Sequence, residues 1–465
     1  MTAPLGPIAW STSLVALSEG GASDIGSRLP IWSVVPFAAL LWSIAVLPLV
    51  APKWWHSNRN KGIVAAGLAI PFAAWALFSF GEDAMHALLH SLLDYASFIA
   101  LLGALFVISG GILVRGSLAG TPLSNSVILG MGAVLANLIG TTGASMVLIR
   151  PLLRANEERR QKVHIVVFFI FVVSNCGGLL TPLGDPPLFL GFLKGVPFDW
   201  TLRLWREWLF VNGVLIAIFN VLDQHLLNIE EKAGPEDLLE EVLEHQPLRI
   251  EGWHNLFFLA GIVLVIIGKG NSWGTYPHPW PFGVQELLMV SLAYAAYRST
   301  RASTRRANRF GFAPIVEVAV LFAGIFVTMV APLLVLNARG ASLGLSHPWH
   351  YFWATGVLSS FLDNAPTYLT FAATAAGQLG VPIEVGSYLA TMLARSPEAP
   401  TLLAAISCGA VFMGANSYIG NGPNFMVKAI AEEHGVPMPS FFGYMGWALV
   451  LLIPIFFAAT FLFFV

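Results

Sequence analysis

Apolar runs of about 20 residues recur along this chain, and each is long enough to cross a hydrocarbon core ~30 Å thick as a helix. Hydrophobic residues make up 56% of the 465 residues and charged residues only 11%, against roughly 25% charged in soluble domains. Helices satisfy their own backbone hydrogen bonds, as lipid requires. The pattern predicts an all-α polytopic membrane protein and excludes a soluble enzyme, a disordered chain and a collagen.

Charge and cysteine content exclude two further classes of protein. Lys plus Arg number 24 and Asp plus Glu 26, so the chain offers no basic surface for nucleic acid. Cys176 and Cys408 both lie inside apolar runs, whereas a disulfide framework or thiolate metal site needs more sulfur. No basic region precedes the first long apolar run, which is therefore expected to be a true span and not a cleaved signal peptide.

Basic residues orient the chain in the membrane. They cluster in the loops 53–61, 150–162 and 298–309, and cytoplasmic loops are enriched in Lys and Arg. These loops are therefore placed inside a cell inner membrane, with the N-terminus outside. Simple spans are expected at about 31–51, 62–80, 91–114, 203–227, 253–269, 283–297, 313–336 and 441–464.

The segment 116–153 is expected to enter the membrane and return. It is apolar, yet Arg115 and Arg150 at its ends both fall inside. Each arm of ~11 residues is only about 16 Å of helix, half the core thickness. A re-entrant hairpin follows, with Asn137 and the run from Gly140 to Gly143 near its tip.

Glycines and prolines interrupt the next segment, 163–193, which is predicted to be a discontinuous helix. The breaks are Ser174-Asn175-Cys176-Gly177-Gly178 and Thr181-Pro182-Leu183-Gly184-Asp185-Pro186-Pro187. The second half repeats the order with a hairpin at 347–378, turning at Asp363-Asn364-Ala365-Pro366-Thr367, and a broken helix at 401–433. Paired, interrupted segments in two halves of opposite orientation are typical of inverted-repeat secondary transporters.

The chain therefore divides into an N-terminal part with two helices, a first repeat, an acidic linker expected to be an exposed amphipathic helix, connecting helices and a second repeat. Regulatory docking is the alternative reading of the acidic linker. These parts are 1–90, 91–227, 228–252, 253–310 and 311–465.

Two carboxylates are the main candidates for ion binding and proton coupling. Asp185 precedes Pro186 and can also be read as a helix N-cap. Asp363 sits at a hairpin tip, where an unpaired carboxylate is costly and usually functional. One carboxylate can hold either a proton or a cation, and Asp363 is the first choice for this role.

Short polar side chains cluster at the two hairpin tips and in the interruptions of the two broken helices. They offer the oxygen ligands that hard cations prefer. Interhelical hydrogen bonding is the alternative role of such residues. Lys428, just past the last break, is the nearest basic residue, which favours a cation or a neutral substrate. The set comprises Asn137, Thr141, Thr142, Ser174, Asn175, Asn364, Thr367, Asn416, Ser417, Asn421 and Asn424, with Asp363 and Asn175 as candidate ligands of a monovalent cation.

Other ionisable residues are weaker candidates. Glu317 and Asp94 lie in the paired helices 313–336 and 91–114, where either relays a proton or sits near an interface. His86, His90 and Asp94 share one helix face, but nothing completes a metal coordination set. The HExxH pattern is absent, so an intramembrane zinc protease has no support.

Five strings carry a family resemblance: ANLIGTTGASMVLIRPLLRAN, SNCGGLLTPLGDPPLFLGFLKGVPF, EVAVLFAGIFVTM, FLDNAPTYLTF and GANSYIGNGPNFMVKAIAEEHGV. They resemble signature segments of the ion transporter superfamily, in the branch of sodium/proton antiporters of the NhaD type and citrate-transporter-like proteins, related to arsenite permeases. The resemblance implies an inverted-repeat transporter fold with two re-entrant hairpins and two discontinuous helices.

The resemblance also implies binding positions at Asn137, Thr141, Ser174, Asn175, Asp363, Asn364 and Asn416. Dicarboxylate carriers of the superfamily use Ser-Asn-Thr at both sites, but here Cys176 stands third in one, and the other reads Ala415-Asn416-Ser417. The sequence therefore favours sodium (or lithium)/proton antiport, with coupled transport of citrate, dicarboxylate or arsenite second and an intramembrane enzyme a distant third. The expected partners are the lipid bilayer and a small inorganic ion, without a cofactor; a homodimer is left open.

Overall fold

Helices make up most of the fold in the computed structural model, which describes residues 25–117, 119–233, 246–275, 280–383 and 386–465. The first half contains α1 (Ile25–Arg28), α2 (Val35–Val50), α3 (Pro52–Trp55), α4 (Asn58–Ser109), α5 (Pro122–Ala155), α6 (Val163–Val172), α7 (Pro186–Leu193) and α8 (Trp205–Ala233). The second contains α9 (Asn255–Gly270), α10 (Val284–Ser299), α11 (Ala302–Ala307), α12 (Ala313–Thr328), α13 (Val330–Arg339), α14 (Pro348–Ser359), α15 (Asn364–Gln378), α16 (Tyr388–Arg395), α17 (Ala399–Met413), α18 (Gly422–Glu433) and α19 (Phe441–Phe463).

Length and apolarity make this a multi-pass membrane protein. Within the described ranges, six helices are long and apolar enough to cross a membrane, or seven when the bent pair α12 and α13 counts as one span. In this count α4 and α5 each appear once, although α4 is divided at Gly81 and α5 folds back at Gly140. The 52 residues of α4 would measure about 78 Å if straight, far more than one crossing. Gly81, with φ 57° and ψ −124°, divides it, and the predicted spans 62–80 and 91–114 lie on either side.

The span expected at 313–336 is bent by 41° between α12 and α13. Pro332 explains the bend, because it lacks the amide hydrogen that would bond to the carbonyl of Thr328, the last residue of α12. The segment is therefore two helices where the sequence pattern predicted one.

Two helical hairpins stand at corresponding places in the two halves. In α5 the chain reverses at Gly140, which has φ 79°, and the arms meet again where Asn125 Nδ2 donates to Asn156 Oδ1 at 2.9 Å. Helices α14 and α15 form the second hairpin, closed by a 2.6 Å hydrogen bond from Tyr351 Oη to Gln378 Oε1. Each arm is short.

Two broken helices follow the hairpins. Helix α6 continues as a 3₁₀ turn, Cys176–Leu179, before α7; helix α17 continues as the turn Gly414–Asn416 before α18. Glycine is required at the first break, because a Cβ on Gly177 would lie 2.6 Å from the Cα of Ala133 in the first hairpin. All of α6 from His164 to Val172 is buried, so the breaks lie in the protein interior.

The connection between the halves differs from the expected helix over 228–252. Helix α8 ends at Ala233, and Gln246–Glu251 forms a strand, β2, that pairs antiparallel with β1 (Leu113–Ser117). Glu230, expected on a solvated face, is 5% exposed and bonded to Arg159. The rest of the acidic stretch, 234–245, lies outside the described residues, as do residues 1–24, on which the expectations for the N-terminus depend.

Candidate functional site

Asp185 lies where both hairpins and both broken helices meet. It is 1% exposed and stands at the N-cap of α7, but its side chain makes no capping hydrogen bond. Its Oδ1 accepts hydrogen bonds from Thr141 Oγ1 at 3.0 Å and Asn421 Nδ2 at 3.1 Å, and its Oδ2 accepts one from Asn364 Nδ2. The partners belong to the first hairpin, the second broken helix and the second hairpin, respectively.

The tip of the first hairpin is hydrogen-bonded to backbone groups of the first broken helix. Thr141 N donates to Gly184 O at 2.9 Å. Asn137 Nδ2 donates to Gly177 O at 2.7 Å, and Asn137 Oδ1 accepts from Leu180 N at 2.7 Å. Asn137 therefore satisfies backbone groups that the broken helix leaves unpaired, and it holds Thr141 against Asp185.

Asp363, the other candidate carboxylate, has the capping geometry. It is the N-cap of α15, and its Oδ1 accepts from Ala365 N at 3.1 Å. Thr367 Oγ1 donates to the backbone carbonyl of Asp363 at 2.9 Å, so Thr367 is occupied within its own helix. Among the described contacts, the second hairpin reaches Asp185 through Asn364.

Amide side chains link the two broken helices directly. Asn175 Nδ2 donates to Asn424 Oδ1 at 2.7 Å, and Asn424 Nδ2 in turn donates to the carbonyls of Gly414 and Ser417, both at 2.9 Å. Asn421 Nδ2 also donates to Ser174 O at 3.1 Å. The two breaks therefore form one continuous polar network in the interior.

Sequence reasoning missed two serines that support this network. Ser145 Oγ lies 2.8 Å from Ser174 Oγ. Ser360 Oγ accepts from Asn416 Nδ2 at 2.9 Å, and Ser360 O accepts from Ser417 Oγ at 2.5 Å. Ser145 lies in an arm of the first hairpin, and Ser360 directly follows the last residue of α14. The only sequence signal of either serine is a small polar residue in an apolar run.

Among the candidate binding residues, three buried amide oxygens have no hydrogen-bond partner: Asn175 Oδ1, Asn364 Oδ1 and Asn416 Oδ1. Buried acceptors are nearly always satisfied by protein, water or an ion. Neutral amide oxygens near a carboxylate match the ligand preference of a hard monovalent cation. In the described residues, no group of three or more His, Cys, Asp and Glu forms a transition-metal site.

A cavity of about 100 Å³ adjoins the first hairpin tip. It is lined by Leu102 and Phe106 of α4, Thr141 and Thr142 of the hairpin, Gly184 of the break and Val318 of α12. Thr142, which is only partly buried, faces this cavity. The lining is mostly apolar, and Gly184 adjoins Asp185, so the cavity reaches the edge of the polar network.

The remaining ionisable candidates lie in separate ion pairs. Glu317 Oε1 is 2.6 Å from Lys61 Nζ. Asp94 pairs with Lys194, at the C-terminal end of α7. Lys428 pairs with Glu432 at 2.7 Å. Glu317 and Asp94 are therefore each paired with a lysine, and neither is among the described hydrogen-bond partners of Asp185.

The chain resembles membrane transporters along most of its length. A family model described as "Putative citrate transport" matches residues 26–464. An uncharacterized transporter of Mycobacterium bovis and one of Mycobacterium tuberculosis are each 26% identical over 345 residues, which is 69% of this chain and 72% of each relative.

Proposed function

The chain belongs to the family described as putative citrate transport, and on that premise we propose that it is a secondary active transporter that exchanges sodium or lithium for protons. The family and the relatives support a transporter rather than an enzyme. The cation, the coupling to protons and the location in a cell inner membrane are the proposal.

One observation carries the choice of a cation. A buried carboxylate, Asp185, is surrounded by amide and hydroxyl groups, and the amide oxygens of three candidate binding residues lack a partner. No Lys or Arg side chain donates to Asp185 among the described residues. An isolated buried charge is costly in free energy. A proton on Asp185 in one half of the transport cycle, and a monovalent cation in the other, removes that cost.

We infer that transport proceeds by alternating access, and the arrangement of the two halves supports this. The chain reversal at Gly140 and the turn before Asn364 support two re-entrant hairpins in an inverted repeat, with the shared site between them. The cavity beside Thr141 and Thr142 would be the route to the cytoplasm, since the predicted topology places both ends of the first hairpin on the cytoplasmic side. Asp185 is proposed as the exchange carboxylate, with Asp363 as its neighbour.

Anion transport is the second candidate, because the family description names citrate. A citrate, dicarboxylate or arsenite site could use the hydroxyl and amide donors around the breaks. Such a site would have to accommodate Asp185 beside a negative substrate, and like charges at close range disfavour each other. We therefore rank it below cation exchange.

The test uses purified protein in proteoliposomes that hold a pH dye and an imposed proton gradient. Sodium or lithium should collapse the gradient, and the apparent affinity for the cation should fall as pH falls because protons compete for the carboxylate. Potassium serves as the control ion and empty liposomes as the blank. Uptake of radiolabelled citrate or arsenite without any response to sodium or lithium would replace the proposal with the second candidate.

A further inference from the structure

Asp185 and Asn421 occupy equivalent positions in the two broken helices. Gly178, Thr181, Gly184 and Asp185 in the first helix are spaced as Gly414, Ser417, Gly420 and Asn421 are in the second, and a proline follows two residues later in each. Asp185 is the N-cap of α7 and Asn421 the N-cap of α18, and neither makes a capping hydrogen bond through its side chain.

The contacts around the two positions also correspond. Thr181 Oγ1 donates to Asn137 O at 2.5 Å and accepts from Leu183 N at 3.2 Å. In the second helix Ser417 Oγ donates to Ser360 O at 2.5 Å and accepts from Ile419 N at 3.2 Å.

The glycines show the same correspondence. A Cβ on Gly184 would meet Gly178 O at 2.1 Å, and one on Gly420 would meet Gly414 O at 2.5 Å. The backbone around the two N-caps is therefore built in the same way.

The chemistry at the two positions is different. Asp185 is 1% exposed, Asn421 is 4% exposed, and Asn421 Nδ2 donates to Asp185 Oδ1 at 3.1 Å. A carboxylate at both positions would place two like charges in contact, so that one would hold a proton or both would share a divalent cation. The carboxylate–amide pair carries a single charge, which one monovalent cation or one proton neutralises.

We propose that Asn421 is a specificity-determining residue: by holding the second of two equivalent positions as an amide, it limits the pair to one charge and selects monovalent over divalent cations. This inference rests on the proposed cation exchange. Because the surrounding backbone is equivalent, positions 185 and 421 should be interchangeable. A carboxylate at position 421 alone should work in place of one at position 185.

The experiment compares wild type, Asp185→Asn, Asn421→Asp and the exchange double variant Asp185→Asn with Asn421→Asp. Purified proteins are assayed for the thermal shift produced by Na⁺, Li⁺, Ca²⁺ or Mg²⁺, and in proteoliposomes for exchange. Wild type should respond to Na⁺ or Li⁺ and not to the divalent ions. Asp185→Asn should respond to none, and Asn421→Asp should gain a Ca²⁺ or Mg²⁺ response.

The exchange double variant should regain a Na⁺ or Li⁺ shift without gaining the divalent response. Recovery should be incomplete, because Asn421 also donates to Ser174 O at 3.1 Å and a carboxylate there cannot. If Asn421→Asp does not fold, the double variant, which keeps the wild-type charge, decides the matter. If wild type responds to Na⁺ or Li⁺ and the double variant responds no more than Asp185→Asn does, this inference is overturned while the proposed function stands. A wild type that ignores Na⁺ and Li⁺ overturns the proposed function and this inference with it.

Discussion

Asn125 and Asn156 exchange hydrogen bonds across the base of the first hairpin, at 2.9 Å in one direction and 2.8 Å in the other. The two residues are separated by the whole of α5 apart from its first turn, so a straight helix would place them far apart. The pair shows that the chain folds back on itself within α5.

We expect cysteines introduced at Ala119 and Glu158, just outside this hairpin, to react with a membrane-impermeant maleimide from the cytoplasmic side only. Both residues lie beside the Asn125–Asn156 pair in sequence, and Glu158 is exposed. Cys176 and Cys408 are buried and should give little background. A cysteine at Ser346, ahead of the second hairpin, should react from the opposite side. Labelling of positions 119 and 158 from different sides would contradict the re-entrant hairpin.

Asp185→Asn should reduce exchange to the level of empty liposomes while the protein still folds. The new amide would meet the Asn364 amide donor, but Asn364 can turn its free Oδ1 toward it, so the network keeps its hydrogen bonds and loses only the charge. The measurements are exchange in proteoliposomes and the gel-filtration profile of the purified protein.

Asp363→Asn is the matched variant and should retain exchange, because Asn caps a helix about as well as Asp. Asp363→Ala, which removes the cap bonded to Ala365 N, should cost ~1 kcal/mol of stability. Loss of exchange in Asp363→Asn together with activity in Asp185→Asn would return the exchange role to Asp363, the residue that the sequence favours.

The unpartnered amide oxygens should contribute directly to cation affinity. Asn175→Ala removes one of them, Asn175 Oδ1, and should raise the cation concentration for half-maximal exchange about tenfold or more, the effect of losing one contact to a charged group. Asn337→Ala serves as the control, since Asn337 donates to two backbone carbonyls outside the network. An equal loss of affinity in both variants would point to a general structural effect.

The buried charges around Arg159 should be important for stability and not for ion selectivity. Arg159 donates to Asp223 Oδ1 at 2.8 Å and Glu230 Oε2 at 3.0 Å, and all three side chains are at most 3% exposed. Arg159→Met would leave two buried carboxylates without their cation, at a cost of ~3–5 kcal/mol. Arg115→Met, which breaks the exposed pair with Glu251, should cost ~0–1 kcal/mol. Thermal unfolding in detergent compares the two; equal shifts would contradict the prediction.

The sequence by itself determined the multi-pass helical architecture and most of the interruptions. Apolar runs cross a membrane whatever they pack against, and glycine and proline break helices through their own covalent structure. The positions of Gly140, of the break from Ser174 to Pro187 and of the break from Gly414 to Asn424 therefore follow from local chemistry. The bend at Pro332 had the same kind of signal, but the apolar pattern continued through it.

Only the tertiary structure decided how the polar residues are combined. Asp185 and Asp363 both precede a helix, and nothing local distinguishes a cap from a network member. The difference arises because Thr141, Asn364 and Asn421, from three distant segments, converge on Asp185, while Asp363 bonds to Ala365 beside it. Glu230 likewise reads as a solvated linker residue until Arg159 is placed against it. Such pairings depend on packing between segments far apart in the chain, which periodicity and composition do not encode.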